Sequence, residues 1–261
     1  MAYETITYKK EAGVAYIAFN RPDKMNSLTD QMLTESSQAI DEAAKDPEVR
    51  VIVLTGSGRA FCAGADLGHP LFEATSPVEI HTGMASFHKL PLQLRNAPKP
   101  VIASVNGAAV GAGANLALAC DMIIASDQAR FGQVFVNIGV HPDTGGTYFL
   151  PRAVGVPRAC ELLMTGRIID AKEAERIGMV NKVVPADKLE ATTRELAESL
   201  AKGPPIALSM MKESIYQALE MDLPTALERE ANCQAILVNS EDNREGIRAF
   251  REKRRPEFKG K

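Results

Sequence analysis

Apolar positions along the chain recur with two periods, and the changes between them mark its elements. Residues 6–9 and 14–19 alternate apolar with polar around Glu11-Ala12-Gly13, which predicts a hairpin. A polar loop follows over 20–29. Thr29, with Asp30 in the first turn, is placed to cap a helix whose inward side carries Leu33, Ile40 and Ala44. The continuous run Val51-Ile52-Val53-Leu54 predicts a strand covered on both faces. Gly56-Ser57-Gly58 turns it into a stretch of small residues over 60–67. A second unit of the same kind begins at Pro100. Val101, Ile102 and Val105 predict a strand ended by Asn106-Gly107, and the run over 114–119 predicts a buried helix with no polar face after Asn115. The two units lie roughly 50 residues apart, a spacing that raises an internal repeat. A third strand over 122–125 follows at once.

The remaining segments are less regular. Residues 68–96 mix Pro, Ser, Thr and three of the four histidines (His69, His81, His88) with no clean period. They read as a mobile helical flap over a pocket, or as an ordinary surface connection. No carboxylate or cysteine completes a metal set with these histidines, so no metal is expected. Residues 131–146 lead into Tyr148-Phe149-Leu150. Short amphipathic helices are predicted over 156–166 and 170–177, a strand over 181–184 and a helix over 186–202 with Leu189, Leu196 and Leu200 inward. Gly203-Pro204-Pro205 then divides the chain, giving regions 1–202 and 203–261. The second region reads as three helices over 206–221, 224–237 and 240–253. Their apolar stripes, which include Ile206, Met210, Ile215, Leu219, Leu227 and Ile236, predict packing on a neighbour, another subunit among the options.

Composition narrows the class. The chain has 261 residues, 45% of them hydrophobic, enough for one or two domains with a sizeable core. A formal net charge of −3 argues against a protein that grips nucleic acid through its backbone charge. No apolar run reaches membrane-span length, and the first residues do not read as a signal peptide. Cys62, Cys120, Cys160 and Cys233 have no paired spacing, which predicts free thiols in a reducing cytoplasm. The basic tail (Arg251, Lys253, Arg254, Arg255, Lys259) reads as a solvated face, with a phosphate contact as the second reading.

The chemistry starts from Gly107, Gly111 and Gly113, separated only by Ala and Val. Small residues let a ligand approach the backbone, and the first free amides of the following helix point at it. That makes an anion or oxyanion site out of main chain. Close helix packing with no ligand is the plainer alternative. A dinucleotide fingerprint is not supported, because Leu116 stands where a third glycine belongs.

Asn20-Arg21-Pro22, residues 58–67, residues 106–121 and residues 139–152, taken together and in this order, closely resemble the enoyl-CoA hydratase/isomerase family, the crotonases. The resemblance spans the whole chain. It implies an α/β fold, a right-handed spiral of ββα turns, with a C-terminal helical part that builds trimers, often paired into hexamers. It implies an acyl-CoA substrate whose thioester oxygen sits between the amides of Ala65 and Ala112. Lys24, Met25, Ala63, Ala65, Asp66 and Leu67 match the adenine and pantetheine path, and Phe250 and Lys253 match positions that reach CoA at a neighbouring subunit. No other cofactor is implied. Residues 1–202 become the acyl-CoA-binding core, 203–261 the oligomerisation region.

The departures are in the proton-handling groups. Where the family's hydratases carry two glutamates, this chain has Asn115 and Phe135. Neither moves a proton at neutral pH, and syn addition of water needs a held water and a proton donor. Asp143, in Pro142-Asp143-Thr144-Gly145-Gly146, resembles the aspartate of the family's ring-CoA isomerases of phenylacetate breakdown. Residue position alone would make Asp143 a helix cap. The resemblance makes it the shuttle of a 1,3-proton shift, with Phe135 and Val136 raising its pKa and His141 nearby. Alternatives are a hydratase, a CoA-ester hydrolase or dehalogenase with Asp143 as nucleophile, and a non-enzymatic RNA-binding member, which the acidic balance disfavours. No Gly-x-Ser-x-Gly occurs, which argues against a serine peptidase.

Overall fold

The computed structural model describes residues 3–261. Strands β1 (Ile6–Glu11) and β2 (Val14–Phe19) form the expected hairpin, reversing at Ala12 and Gly13 with positive φ. β2 pairs in parallel with β3 (Val51–Gly56), and β5 (Val101–Val105), β7 (Met122–Ser126) and β10 (Lys182–Val184) complete a six-stranded sheet, β1-β2-β3-β5-β7-β10. A second sheet has the order β4 (Ala60–Cys62), β6 (Ala108–Val110), β8 (Arg130–Gly132), β9 (Ile168–Asp170). The sequence reading took the small-residue stretches as loops. Three residues are too few to display a period, so these strands left no pattern to read.

Each turn of the chain therefore lays a strand in the first sheet, bends, lays a short strand in the second, and runs on into a helix. The turns are β3-β4-α2 (Pro77–Asn96), β5-β6-α3 (Ala112–Ala119) and β7-β8-α4 (Gly146–Val154). The two anticipated units are three. At the bends, bare backbone meets bare backbone, within one turn at Gly56 and between successive turns at Gly107. A Cβ on Gly56 would stand 2.2 Å from the carbonyl oxygen of Ala60, and one on Gly107 would stand 2.0 Å from that of Arg59. No other residue fits there without parting the layers.

Helix α1 (Asp30–Lys45) begins at the Thr29 cap, whose hydroxyl accepts from the Met32 amide, and buries Met32, Leu33, Ala39, Ile40 and Ala43. Its inward side ends on Ala43; Ala44 is half-buried. α5 (Val156–Thr165) and α6 (Ala171–Arg176) follow α4, and α7 (Leu189–Ala201) covers the outer face of the first sheet at Val14, Val51, Val53 and Ile102.

The segment 68–96 corrects its reading. It holds a 3-10 turn at Pro70–Phe72 and then α2, whose second half buries Phe87, Leu90, Pro91 and Leu94 in the main core. The helix was expected; what the reading missed is that its second half is part of the core rather than a surface flap. Pro91 inside the helix and the polar first turns hide the period. The start was nevertheless written in Ser76-Pro77-x-Glu79, where the Ser76 hydroxyl accepts from the Glu79 amide at 3.5 Å.

The last three helices are α8 (Pro205–Ala218), α9 (Leu223–Val238) and α10 (Glu241–Glu252). Ile215, Leu219, Leu227, Ile236 and Phe250 are exposed on them. One buried ion pair joins α8 to the sheets. Lys212 Nζ lies 2.8 Å from Asp121 and donates to the carbonyls of Leu94 and Lys99, while the Tyr216 hydroxyl and the Val101 amide both donate to Asp121. Desolvation pushes the Lys212 pKa down and the Tyr216 pKa up. Lys212→Met should lower stability by ~3 kcal/mol, the lower end for a broken buried pair, because Tyr216 and Val101 still serve the stranded carboxylate. A fall in the urea midpoint at unchanged slope is the measurement.

Candidate active site

The site grows from two stretches of backbone that touch. Leu28 forms a single parallel bridge with Ala65: its amide donates to Gly64 O at 2.8 Å and its carbonyl accepts from the Asp66 amide at 3.0 Å. Those bonds use residues 64 and 66, so the Ala65 N–H points the other way, and no backbone acceptor takes it among the described residues. Opposite it, Gly111 (φ 56, ψ −126) opens α3 and leaves the Ala112 amide at the first helical position, equally without a backbone acceptor. A Cβ on Gly64 would come within 3.6 Å of the Ala112 nitrogen. The two free amides therefore sit on adjoining main chain.

The glycines divide into two roles. A Cβ on Gly113 would lie 2.1 Å from the Cys62 carbonyl oxygen, so Gly113, like Gly107, is there for packing. Gly111, with its positive φ, aims the amide. The packing alternative raised by the sequence holds for two of the three glycines. All eight residues of α3 are buried, which keeps water from most of the helix.

Phe135, 7% exposed in the 3-10 turn Val134–Ile138, puts its ring within 3.7 Å of the place where a Gly111 side chain would begin. It walls the free amides with hydrocarbon. Val136 is largely exposed.

Asp143 stands in the loop before α4. Its side chain does not cap that helix: Gly145 is the cap residue, and no side chain bonds there. The Asp143 main-chain carbonyl accepts from the Gly146 amide at 2.9 Å instead. The carboxyl receives one protein hydrogen bond, from the Thr144 hydroxyl at 2.9 Å, and has no salt-bridge partner among the described residues. Burial pushes its pKa up, opposed first by the Thr144 bond and then by the nearby imidazole of His88 on α2, by the residue's own backbone and by His141. His141 itself is exposed, its ring 2.7 Å from the Pro142 carbonyl.

Behind the loop lies Asn115, wholly buried on α3. Its Nδ2 donates to the Asp143 carbonyl at 2.8 Å, and its Oδ1 accepts from Gln133 Nε2 at 2.8 Å. A Cβ on Gly146 would stand 2.5 Å from Asn115 Nδ2, so the loop closes on Asn115 with no room left over. Thr144 is held at φ 51, a left-handed conformation that costs a β-branched residue ~1–2 kcal/mol.

Lys24, Met25, Ala63, Ala65, Asp66 and Leu67 come together in space: the Ala63 amide donates to the Met25 carbonyl at 3.0 Å. Lys24 and Leu67 are exposed. The Asp66 carboxylate is already engaged by the Gly68 amide, Arg21 at 3.0 Å and Ser27 at 3.1 Å, which hold its pKa below the usual carboxylate range. It pins two loops together. Phe250 and Lys253 are not brought to this cluster within one chain; Phe250 lies in the last turn of α10, where it borders a groove of about 460 Å³ beside Ile206, Met211, Leu237 and Phe258, and Lys253 is the left-handed residue that ends the helix. Gln133, Thr144, Arg21 and Asn26 were missed by sequence reasoning. Arg21 and Thr144 stand in stretches that carry the resemblance, and Asn26 had a signal of its own, since Asn tolerates the left-handed turn it occupies (φ 57) while bonding the carbonyls of Ser57 and Ala60.

The family model for enoyl-CoA hydratase/isomerase matches residues 9–261. The chain belongs to the enoyl-CoA hydratase/isomerase family. A probable enoyl-CoA hydratase of Rhodobacter capsulatus is 44% identical over the full length of both chains. The 1,2-epoxyphenylacetyl-CoA isomerase of Escherichia coli is 39% identical over 99% of each. The crystal structure of an enoyl-CoA hydratase from Bacillus anthracis superposes with a TM-score of 0.94 at 37% identity, covering 99% of this chain and all of that one. The spiral described above is thus the crotonase fold, and the protein is an enzyme of the enoyl-CoA hydratase/isomerase family.

Proposed function

We propose that this family member is an enoyl-CoA isomerase that moves a double bond by a 1,3-proton shift, with Asp143 as base and acid in turn. The observation that carries the reading is the state of Asp143: half-buried, uncapped, raised in pKa and without an ionic partner among the described residues, in a loop tied by Asn115 to the helix that the free Ala112 amide begins. Asp143 takes a proton from the carbon α (or γ) to the thioester, the released electron pair moves into the conjugated system, and negative charge collects on the thioester oxygen. The Ala65 and Ala112 amides hold that charge. Asp143 then returns the proton to the other end of the allylic unit. No group is oxidised, and no cofactor beyond the substrate's own coenzyme A is called for.

Asn115 and Phe135 support isomerisation over hydration, since neither can activate water; the Escherichia coli relative is likewise named an isomerase, of an epoxide rather than of an enoyl double bond. Hydration is the rival that the Rhodobacter relative's name favours. We place the coenzyme A along Lys24, Met25, Ala63, Asp66 and Leu67, with Phe250 and Lys253 supplied across a trimer or hexamer built by residues 203–261. The wild-type enzyme should convert a 3-enoyl-CoA to the 2-enoyl isomer and leave crotonyl-CoA near the uncatalysed rate of hydration. Chromatography of both reactions checks this; rapid hydration of crotonyl-CoA would defeat it.

A further inference from the structure

Beyond naming the acid–base group, we infer that Gln133 and Asn115 act in series as positioning residues that hold the Asp143 loop, and with it the carboxylate, in its half-buried and uncapped place. The inference rests on the reading of Asp143 given above. The loop cannot hold itself. It passes through Thr144 and Gly145, both left-handed (φ 51 and φ 81), and Thr144 is a residue that avoids that region. Such a conformation persists only where its surroundings over-determine it.

Two contacts from α3 do so. Asn115 Nδ2 donates to the Asp143 carbonyl at 2.8 Å, and Gly146 closes so tightly on the same amide that a Cβ there would stand 2.5 Å away. An asparagine amide can flip, and flipped it would set its oxygen against that carbonyl. Gln133 prevents this, because its Nε2 donates to Asn115 Oδ1 at 2.8 Å and so fixes which end faces the loop. Both side chains are at most 2% exposed. Gln133 keeps this post although its own Oε1 is buried with no hydrogen bond among the described residues. An unpaired buried acceptor is unfavourable, and what it leaves in return is an oriented Asn115. The position that carries a glutamate in the family's hydratases is here a brace on the proton shuttle from behind.

Loosening the brace should let water reach a carboxyl whose other neighbours are the Thr144 hydroxyl, His88 from α2 and His141 from its own loop. The test compares Gln133→Met, close to volume-conserving, and Asn115→Leu, which keeps the branched shape with bulkier ends, with wild type and Asp143→Asn on a 3-enoyl-CoA across pH. In each brace variant kcat should fall ~10- to 100-fold, the scale of a misplaced catalytic group. KM should stay within about twofold, since neither residue lies along the coenzyme path. The acid limb of the kcat profile should move down toward the ordinary carboxylate range. A merely structural role would lower the melting temperature and leave that limb in place, which would overturn the inference, as would unchanged kcat in folded variants. Inactive Asp143→Asn beside unshifted brace variants removes this inference alone; active Asp143→Asn removes the proton-shuttle reading as well.

Discussion

Asp143→Asn is expected to reduce double-bond migration by ~10²–10⁴-fold, the span of one general acid–base group, while binding of the acyl-CoA persists. Asparagine keeps the shape and still accepts from the Thr144 hydroxyl, so the loop has no reason to move. The charge state gives a separate signature. Folding holds the Asp143 proton to higher pH than the unfolded chain does, because burial disfavours the anion. Between those two values the folded state binds more protons, and stability falls as pH rises through the window. Asparagine never ionises. The variant should therefore melt no lower than wild type at neutral pH, and the two should converge in acid, where both side chains are neutral. Calorimetry across pH reads this directly, and a lower melting temperature at neutral pH would mean that the carboxylate is structural.

The second large effect belongs to an amide. Ala112→Pro deletes the N–H at the first position of α3, where proline's fixed φ suits a helix start and no intrahelical bond is lost. Gly111 before it occupies φ 56, ψ −126, the mirror image of the extended region that precedes proline, which an achiral residue can keep. The helix should survive. Turnover should fall at least ~10²–10³-fold, the effect of one lost oxyanion donor, and it should do so with any acyl-CoA the enzyme accepts. Near wild-type turnover in a folded Ala112→Pro enzyme would mean that charge does not collect between these amides.

Legibility in the sequence followed element length and periodicity. β2 and α1 announced themselves because each buries a face through several residues and leaves a period to read, and β3 and β5 because both faces are buried and leave a continuous apolar run. The second sheet did not, since β4, β6, β8 and β9 have three residues each. In α2, a proline and polar first turns masked a helix whose capping residues were nevertheless in plain view. At the site, Asp143 and the free amides could be anticipated from Gly111 and from the resemblance. Gln133 could not. A glutamine after a short strand has no pattern of its own, and its use appears only when α3 and the residue-143 loop meet in space.

The two halves of this site are encoded in different alphabets. On the proposed reading, charge is held by the main-chain amides of Ala65 and Ala112, so almost any point mutation there leaves the donor's chemical identity intact. Proton traffic, on the same reading, is decided by a few side chains: Asp143 in the loop before α4 would carry it, and positions 115 on α3 and 135 in the 3-10 turn set its surroundings. New reactions can therefore be explored by rewriting those letters one at a time, while the enolate-holding grammar stays protected in the backbone. A designer seeking another activity on this scaffold has three positions to edit first, and one residue, Gln133, to edit along with them.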